Sequence, residues 1–222
     1  MNVVNVFIDD SGMHGNPLGI VWASPATHRR EQEIAADLGF SETVFIDAID
    51  GRSARARIFT PARELPFAGH PTVGLAAWLH RNGDEVEALD VPAGRVRVRV
   101  DGDRVFVTAF AEWAPDFDLD RLDSPEEVVA VDPDAYGLGM HYVWAWSDEA
   151  SGAVRARMFA PELGIREDQA TGSAAVRLSA ELGRDLDITQ GAGSRLRTHV
   201  RYLGQQVEVG GLVSGARITE LR

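Results

Sequence analysis

Short runs of alternating apolar and polar residues dominate the chain, a rhythm that predicts strands joined by turns rather than a helical bundle. Residues 3–8 and 19–23 form two apolar runs on either side of Gly15-Asn16-Pro17, a turn signal. Residues 27–38 change period: Ile34, Ala35 and Leu38 sit at helical spacing, with Thr27 as a candidate cap and Gly39 as the stop. Strand patterning returns at 43–46 and 54–59. Residues 71–80 predict a short apolar helix, with Pro71 at its start and Gly83 just beyond its end. Residues 95–100 alternate arginine and valine, turn at Asp101-Gly102 and return through Val105, Val107 and Ala109, a hairpin with one solvated face. The stretch 112–125, rich in aspartate and proline, reads as a linker.

The pattern then repeats. Arg55-Ala-Arg-Ile-Phe59 returns as Arg155-Ala-Arg-Met-Phe159, and each copy is followed by a proline, a Glu-Leu pair (Glu64-Leu65 and Glu162-Leu163) and a glycine-initiated helix. Setting Gly69 against Gly172 aligns Val73 with Val176, Leu75 with Leu178, Ala77 with Ala180 and Leu79 with Leu182. A five-residue echo alone could be chance, but an echo with the same strand–loop–helix order points to duplication. The expectation is two homologous halves, 1–112 and 113–222, with central helices at about 71–80 and 174–182 and a last strand crossing back. The second half runs from its opening strand at 142–146 straight to the repeated one, so it is expected to be shortened, without a counterpart to the helix at 27–38.

Composition narrows the chemistry. All 22 basic residues of the 222 are arginine, and cysteine is absent. Thiolate catalysis, disulfides, zinc–thiolate sites and Schiff-base chemistry are therefore excluded. The net charge of −12 disfavours nucleic acid. The absence of an apolar run near 20 residues disfavours a membrane span, and the acidic N-terminus does not look like a signal peptide, which leaves the cytoplasm as the expected compartment. The six histidines lack metal-ligand spacing, no Gly-x-Ser-x-Gly elbow occurs, and Gly191-Ala-Gly193 is not a dinucleotide fingerprint. Neither metal nor cofactor is expected.

What remains is carboxylate, imidazole, hydroxyl and backbone chemistry. Both repeated helices start at a glycine followed by small residues or histidine: Gly69-His70-Pro71 and Gly172-Ser173-Ala174. Helix N-termini present free N–H groups and partial positive charge, so two of them facing a cleft would grip a small anionic metabolite. Capping is the simpler role for His70 and Ser173, and the duplication favours the functional one. Glu42, at the entry to a strand, reads on spacing alone as an exposed loop glutamate, and is a candidate acid/base if partial burial raises its pKa. Asp168, just before the second helix, and His70 complete the candidate set.

These residues lie in blocks that resemble the PhzF-like family of phenazine-biosynthesis isomerases and their relatives. The blocks are Gly15-Asn16-Pro17, Ser41-Glu42-Thr43, Pro66-Phe-Ala-Gly-His-Pro71, Arg157-Met-Phe-Ala-Pro161, Glu167-Asp168 followed by Ala170-Thr-Gly-Ser-Ala174, and Gln190-Gly191. The resemblance implies an α+β fold of the diaminopimelate-epimerase type, two pseudo-symmetric domains each with a curved, mostly antiparallel sheet around a central helix. It also implies a homodimer, with Glu42 as the acid/base and His70 and Asp168 orienting the substrate. Asn16, Gly69, Gly172 and Ser173 would line the pocket and hold the substrate carboxylate. Related epimerases keep a cysteine at each helix start, where this chain has His70 and Ser173. Gln169 replaces a usual proline, which is expected to loosen that loop. The leading expectation is a cofactor-independent isomerase moving a proton between carbons of a small carboxylate-bearing metabolite. The alternatives are a non-catalytic small-molecule binding protein, motivated by the shortened half, and a hydrolase using Ser173.

Overall fold

A computed structural model describes residues 1–220. The first half contributes β1 (Asn2–Ile8), β2 (Asn16–Trp22), β3 (Glu42–Asp50), β4 (Ser53–Phe59), β5 (Glu64–Leu65), β6 (Ala88–Val91), β7 (Gly94–Asp101) and β8 (Arg104–Phe110). The second contributes β9 (Asp118–Arg121), β10 (His141–Asp148), β11 (Ala153–Ala160), β12 (Ile165–Asp168), β13 (Leu186–Gln190), β14 (Ser194–Arg201), β15 (Gln206–Val213) and β16 (Arg217–Ile218). The helices are α1 (Glu31–Leu38), α2 (Gly69–Arg81), α3 (Pro125–Ala130) and α4 (Gly172–Leu182).

One pairing scheme runs twice. β2 is parallel to β3, β3 antiparallel to β4, β4 antiparallel to β5 but parallel to β6, and β6, β7 and β8 are successive antiparallel neighbours. Strands β9 to β15 reproduce each of these relations in turn. The result is the expected α+β fold of two mostly antiparallel curved sheets, each around a helix. Strands β1, β2, β3, β4, β6, β7, β8 and β15 close into a ring, because β15 pairs with both β8 and β1. The ring surrounds α2, and every residue from Gly69 through Leu79 is buried. A helix apolar on all sides has no other stable place. The second sheet stays open beside α4, where Arg177 reaches the Pro115 carbonyl and Asp116 in the segment that covers the gap.

Four expectations change. The first helix begins at Glu31, because Thr27 instead closes a turn in which its hydroxyl accepts the Ser24 N–H at 2.9 Å. The stretch read as a linker forms β9 and the start of α3. The second half does have a helical excursion. Helix α3, capped by Ser124, packs Val128 on Val143, Ala145 and Phe159. In the first half α1 packs Ile34 and Ala35 on Val21, Phe45 and Phe59. The fourth change concerns the repeat register. Glu64 corresponds to Glu167 rather than Glu162, since Arg57 forks onto Glu64 (2.7 and 2.8 Å) as Arg157 forks onto Glu167 (2.9 and 2.8 Å). Each arginine also lies over the phenylalanine two residues on, at 4.9 Å.

Candidate active site

The two central helices meet at their N-termini. A Cβ on Gly172 would fall 2.9 Å from the His70 nitrogen and 3.1 Å from Gly69, so only glycine lets these backbones touch. Neither helix has a side-chain cap or an acidic residue in its first turn, and the Thr171 hydroxyl turns away to Asp168. The partial positive ends of α2 and α4 therefore converge with no acidic residue in either helix's own first turn.

Glu42, the first residue of β3, and His70, the second of α2, meet here. Their Oε2 and Nδ1 atoms are 2.9 Å apart, with side-chain exposures of 17% for Glu42 and 3% for His70. His70 Nε2 lies 3.0 Å from the Asn16 carbonyl, which can only accept, so Nε2 carries a hydrogen. The Glu42–His70 contact must then hold a further proton, on the imidazole or on the carboxyl. Burial acts to raise the Glu42 pKa, but the hydrogen bond and positive charge of His70 outweigh it and leave the carboxyl below its ordinary value. Burial likewise acts to lower His70, and the Glu42 hydrogen bond and charge reverse this and raise it. The pair rests as carboxylate and imidazolium. The expected rise in the Glu42 pKa is thus corrected by a partner 28 residues away in sequence.

Asn16 links the halves. Gly15 adopts a positive φ of 81° and has Val6 and Ile8 where a Cβ would go, which lets the chain turn into β2. The Asn16 side chain then donates to Asp168 Oδ1 at 2.7 Å and accepts from Ser41 Oγ at 3.3 Å. Asp168 Oδ2 accepts from the Thr171 hydroxyl at 2.6 Å. Burial, and next the negative charge of Glu42, push the Asp168 carboxyl up to about 6. Gln169 ties this loop down rather than loosening it, by accepting the Ala192 N–H at 3.3 Å.

The structure therefore gathers Glu42, His70, Asn16 and Asp168 around the contact of Gly69 and Gly172. Ser173 lies at the α4 start, and among the described residues no hydrogen bond joins its hydroxyl to His70. Residue reasoning missed Ser41, Thr171, Gln190 and Tyr142. Only the place of Thr171 immediately before the Gly172 helix start, a position that favours a hydroxyl, hints at it in the sequence. Two hollows lie elsewhere: one of about 490 Å³ beside Ile34, Phe40 and Ile218, and one of about 510 Å³ beside Asp120, Tyr136 and His141. Neither is lined by Glu42, His70 or Asp168, and size alone supplies no chemistry.

Because Asp168 holds its proton more tightly folded than unfolded, its contribution to stability falls as the pH rises from about 3.8 towards about 6. Asp168→Asn should remove that fall. Relative to the parent protein the variant should gain about 1 kcal/mol between pH 4 and pH 7.5, discounted because the carboxylate is partly open to water. Thermal melts at the two pH values test this, and parallel changes in both proteins would refute it.

Comparison with known proteins places the chain in a family. The family model described as "Phenazine biosynthesis-like protein" (PhzC-PhzF) matches residues 4–132 and 115–202. The chain belongs to this family. The trans-2,3-dihydro-3-hydroxyanthranilate isomerase of Pseudomonas chlororaphis is 31% identical over 235 residues, covering 89% of this chain and 80% of that protein. An uncharacterized isomerase of Pasteurella multocida is 43% identical over 102 residues, 44% of this chain and 35% of the relative. This PhzF-family chain also shares its fold with the Enterococcus faecalis family member (TM-score 0.76, 24% identity, 98% of each chain). A hydroxyproline epimerase from Agrobacterium vitis, bound to trans-4-hydroxy-L-proline, is more distant (TM-score 0.62, 14% identity, 98% of this chain and 91% of that one).

Proposed function

We propose that this PhzF-family protein is a cofactor-independent isomerase, with Glu42 moving a proton between two carbons of a small carboxylate-bearing metabolite. The observation that carries the reading is the Glu42–His70 pair, its proton inventory set by the Asn16 carbonyl and its position beside two uncapped helix starts. Glu42 in its carboxylate form accepts a proton from a carbon conjugated to the substrate carboxylate. The C–H electron pair moves into the conjugated system as an enolate, and N–H groups at Gly69, Gly172 and Ser173 stabilise the added charge. Glu42 then returns the proton to a second carbon, so atoms and charge balance with no co-reactant. His70 remains the imidazolium partner of Glu42, and Asp168 and Asn16 orient the polar groups of the substrate.

The repeat favours one base over two. Thr43 faces Phe59 as His141 faces Phe159, so the counterpart of Glu42 is Met140, and that of His70 is Ser173. A racemase working from opposite faces needs a second base, and these positions hold none. The binding-protein alternative rested on a missing excursion, which α3 supplies. The hydrolase alternative lacks a base for Ser173, because Glu42 and Asn16 engage both nitrogens of His70.

The direct test uses trans-2,3-dihydro-3-hydroxyanthranilate, the compound in the names of the Pseudomonas relatives, together with simpler unsaturated cyclic carboxylates in heavy water. NMR should show isomerisation or deuterium uptake at carbon. Neither with any of these compounds would sink the reading. The homodimer implied by the resemblance should give twice the 24.1 kDa chain mass by light scattering.

A further inference from the structure

Gln190, the last residue of β13, is fully buried, and its amide makes four hydrogen bonds. Nε2 donates to the Asp168 carbonyl (3.0 Å) and to the Thr171 hydroxyl (2.9 Å). Oε1 accepts from the Thr171 N–H (3.1 Å) and from the Tyr142 hydroxyl (3.2 Å). The Asp168 carbonyl can only accept and the Thr171 N–H can only donate, so the amide has one orientation. Thr171 Oγ1 accepts from Gln190, which leaves its own hydrogen for Asp168 Oδ2.

Helix starts of this fold do not need such a network. By the paired registers and the aligned helix starts, the first-half counterparts of Tyr142, Thr171 and Gln190 are Val44, Ala68 and Val91. Helix α2 starts just as well with those apolar residues. The second-half network is an addition, and what it adds ends on Asp168.

We propose that Gln190, braced by Tyr142, is a positioning residue that aims the Thr171 hydroxyl at Asp168 and so fixes the direction and basicity of that carboxylate in the cleft. This rests on the isomerase reading for its catalytic consequence but not for its effect on Asp168. The charged and titratable groups around Asp168 are Glu42 on β3, His70 on α2, Tyr142 on β10 and, through Tyr142, Arg155 on β11.

The test is a titration of the full chain labelled with ¹³C-aspartate, without substrate, the Asp168 signal being assigned with Asp168→Asn. Gln190→Met should raise the Asp168 midpoint by about half a unit or more, because the charged form loses an aimed donor. Tyr142→Phe should move it the same way by less. With trans-2,3-dihydro-3-hydroxyanthranilate, the pH limb of kcat should move with the midpoint and kcat should fall about tenfold, with a smaller change in KM. A merely structural role would lower Tm and leave the midpoint and the limb in place, and that result would overturn the proposal. If Gln190→Met does not fold, an unchanged midpoint in Tyr142→Phe would overturn it equally. If the parent protein shows no turnover or exchange, the isomerase reading fails, and the titration still decides whether Gln190 governs Asp168.

Discussion

Glu42→Gln should lower proton exchange at substrate carbon by about 10²–10⁴-fold, the usual contribution of a positioned acid/base, while the protein still folds. Glutamine preserves shape but cannot take a proton from carbon. It also resolves the site differently. His70 keeps its Nε2 hydrogen for the Asn16 carbonyl, so the new amide donates to Nδ1 and the imidazole becomes neutral. A stability signature follows. The raised His70 pKa contributes stability that is full below about 6.5 and lost as pH rises through the folded value. The lowered Glu42 pKa contributes stability present above about 4.5 and lost as pH falls through the folded value. The gap in Tm between parent and variant should therefore be widest between those two pH values and narrow on either side. Deuterium uptake within threefold of the parent rate would remove Glu42 from the role proposed for it.

Gly172→Ala should be the most damaging small substitution at the site. Its new methyl would meet backbone, the His70 nitrogen at 2.9 Å and Gly69 at 3.1 Å, which cannot rotate away. Overpacking of this kind costs about 1–3 kcal/mol, a fall in Tm of roughly 2–10 °C for a chain of this size. The methyl would also part the two helix starts, so exchange should fall together with Tm. Gly137→Ala is the control, because nothing lies within 4 Å of a Cβ there. Calorimetry of the two variants is sufficient, and a Gly172→Ala melt within a degree of the control would show that the helix starts tolerate separation.

The legible part of this protein was whatever its duplication wrote twice. Gly69 and Gly172 both open helices, and the Arg-x-Phe strands at 57–59 and 157–159 both recur with their ion pairs. Glu42, His70 and Asp168 are candidates from their places at a strand entry and at the helix starts, Asn16 follows from the family resemblance, and the structure draws the four together. What sequence could not supply was pairing across distance. Nothing near Glu42 in the sequence signals His70, so the direction of its pKa is legible only in the structure. Tyr142 lies in an apolar run and reads as core, although its hydroxyl braces Gln190. Helix α3 is six residues long in a stretch of prolines and acids, too short for helical periodicity to emerge. Each of these depends on a partner more than 20 residues away or on packing that composition does not carry.

Strand β15 has a consequence for how the protein is made. It seals the ring around α2 by pairing with β1 and β8, yet it lies at residues 206–213. A ribosome that has released the first 110 residues has produced a barrel with one stave missing, and the buried helix inside it is still exposed to water. The N-terminal half cannot finish folding until residue 213 has emerged, contrary to the usual domain-by-domain order. Such long-range closure should make refolding slow, in the millisecond-to-second range or beyond. In the cell, the apolar faces of α2 and β1 are the surfaces a chaperone would meet first.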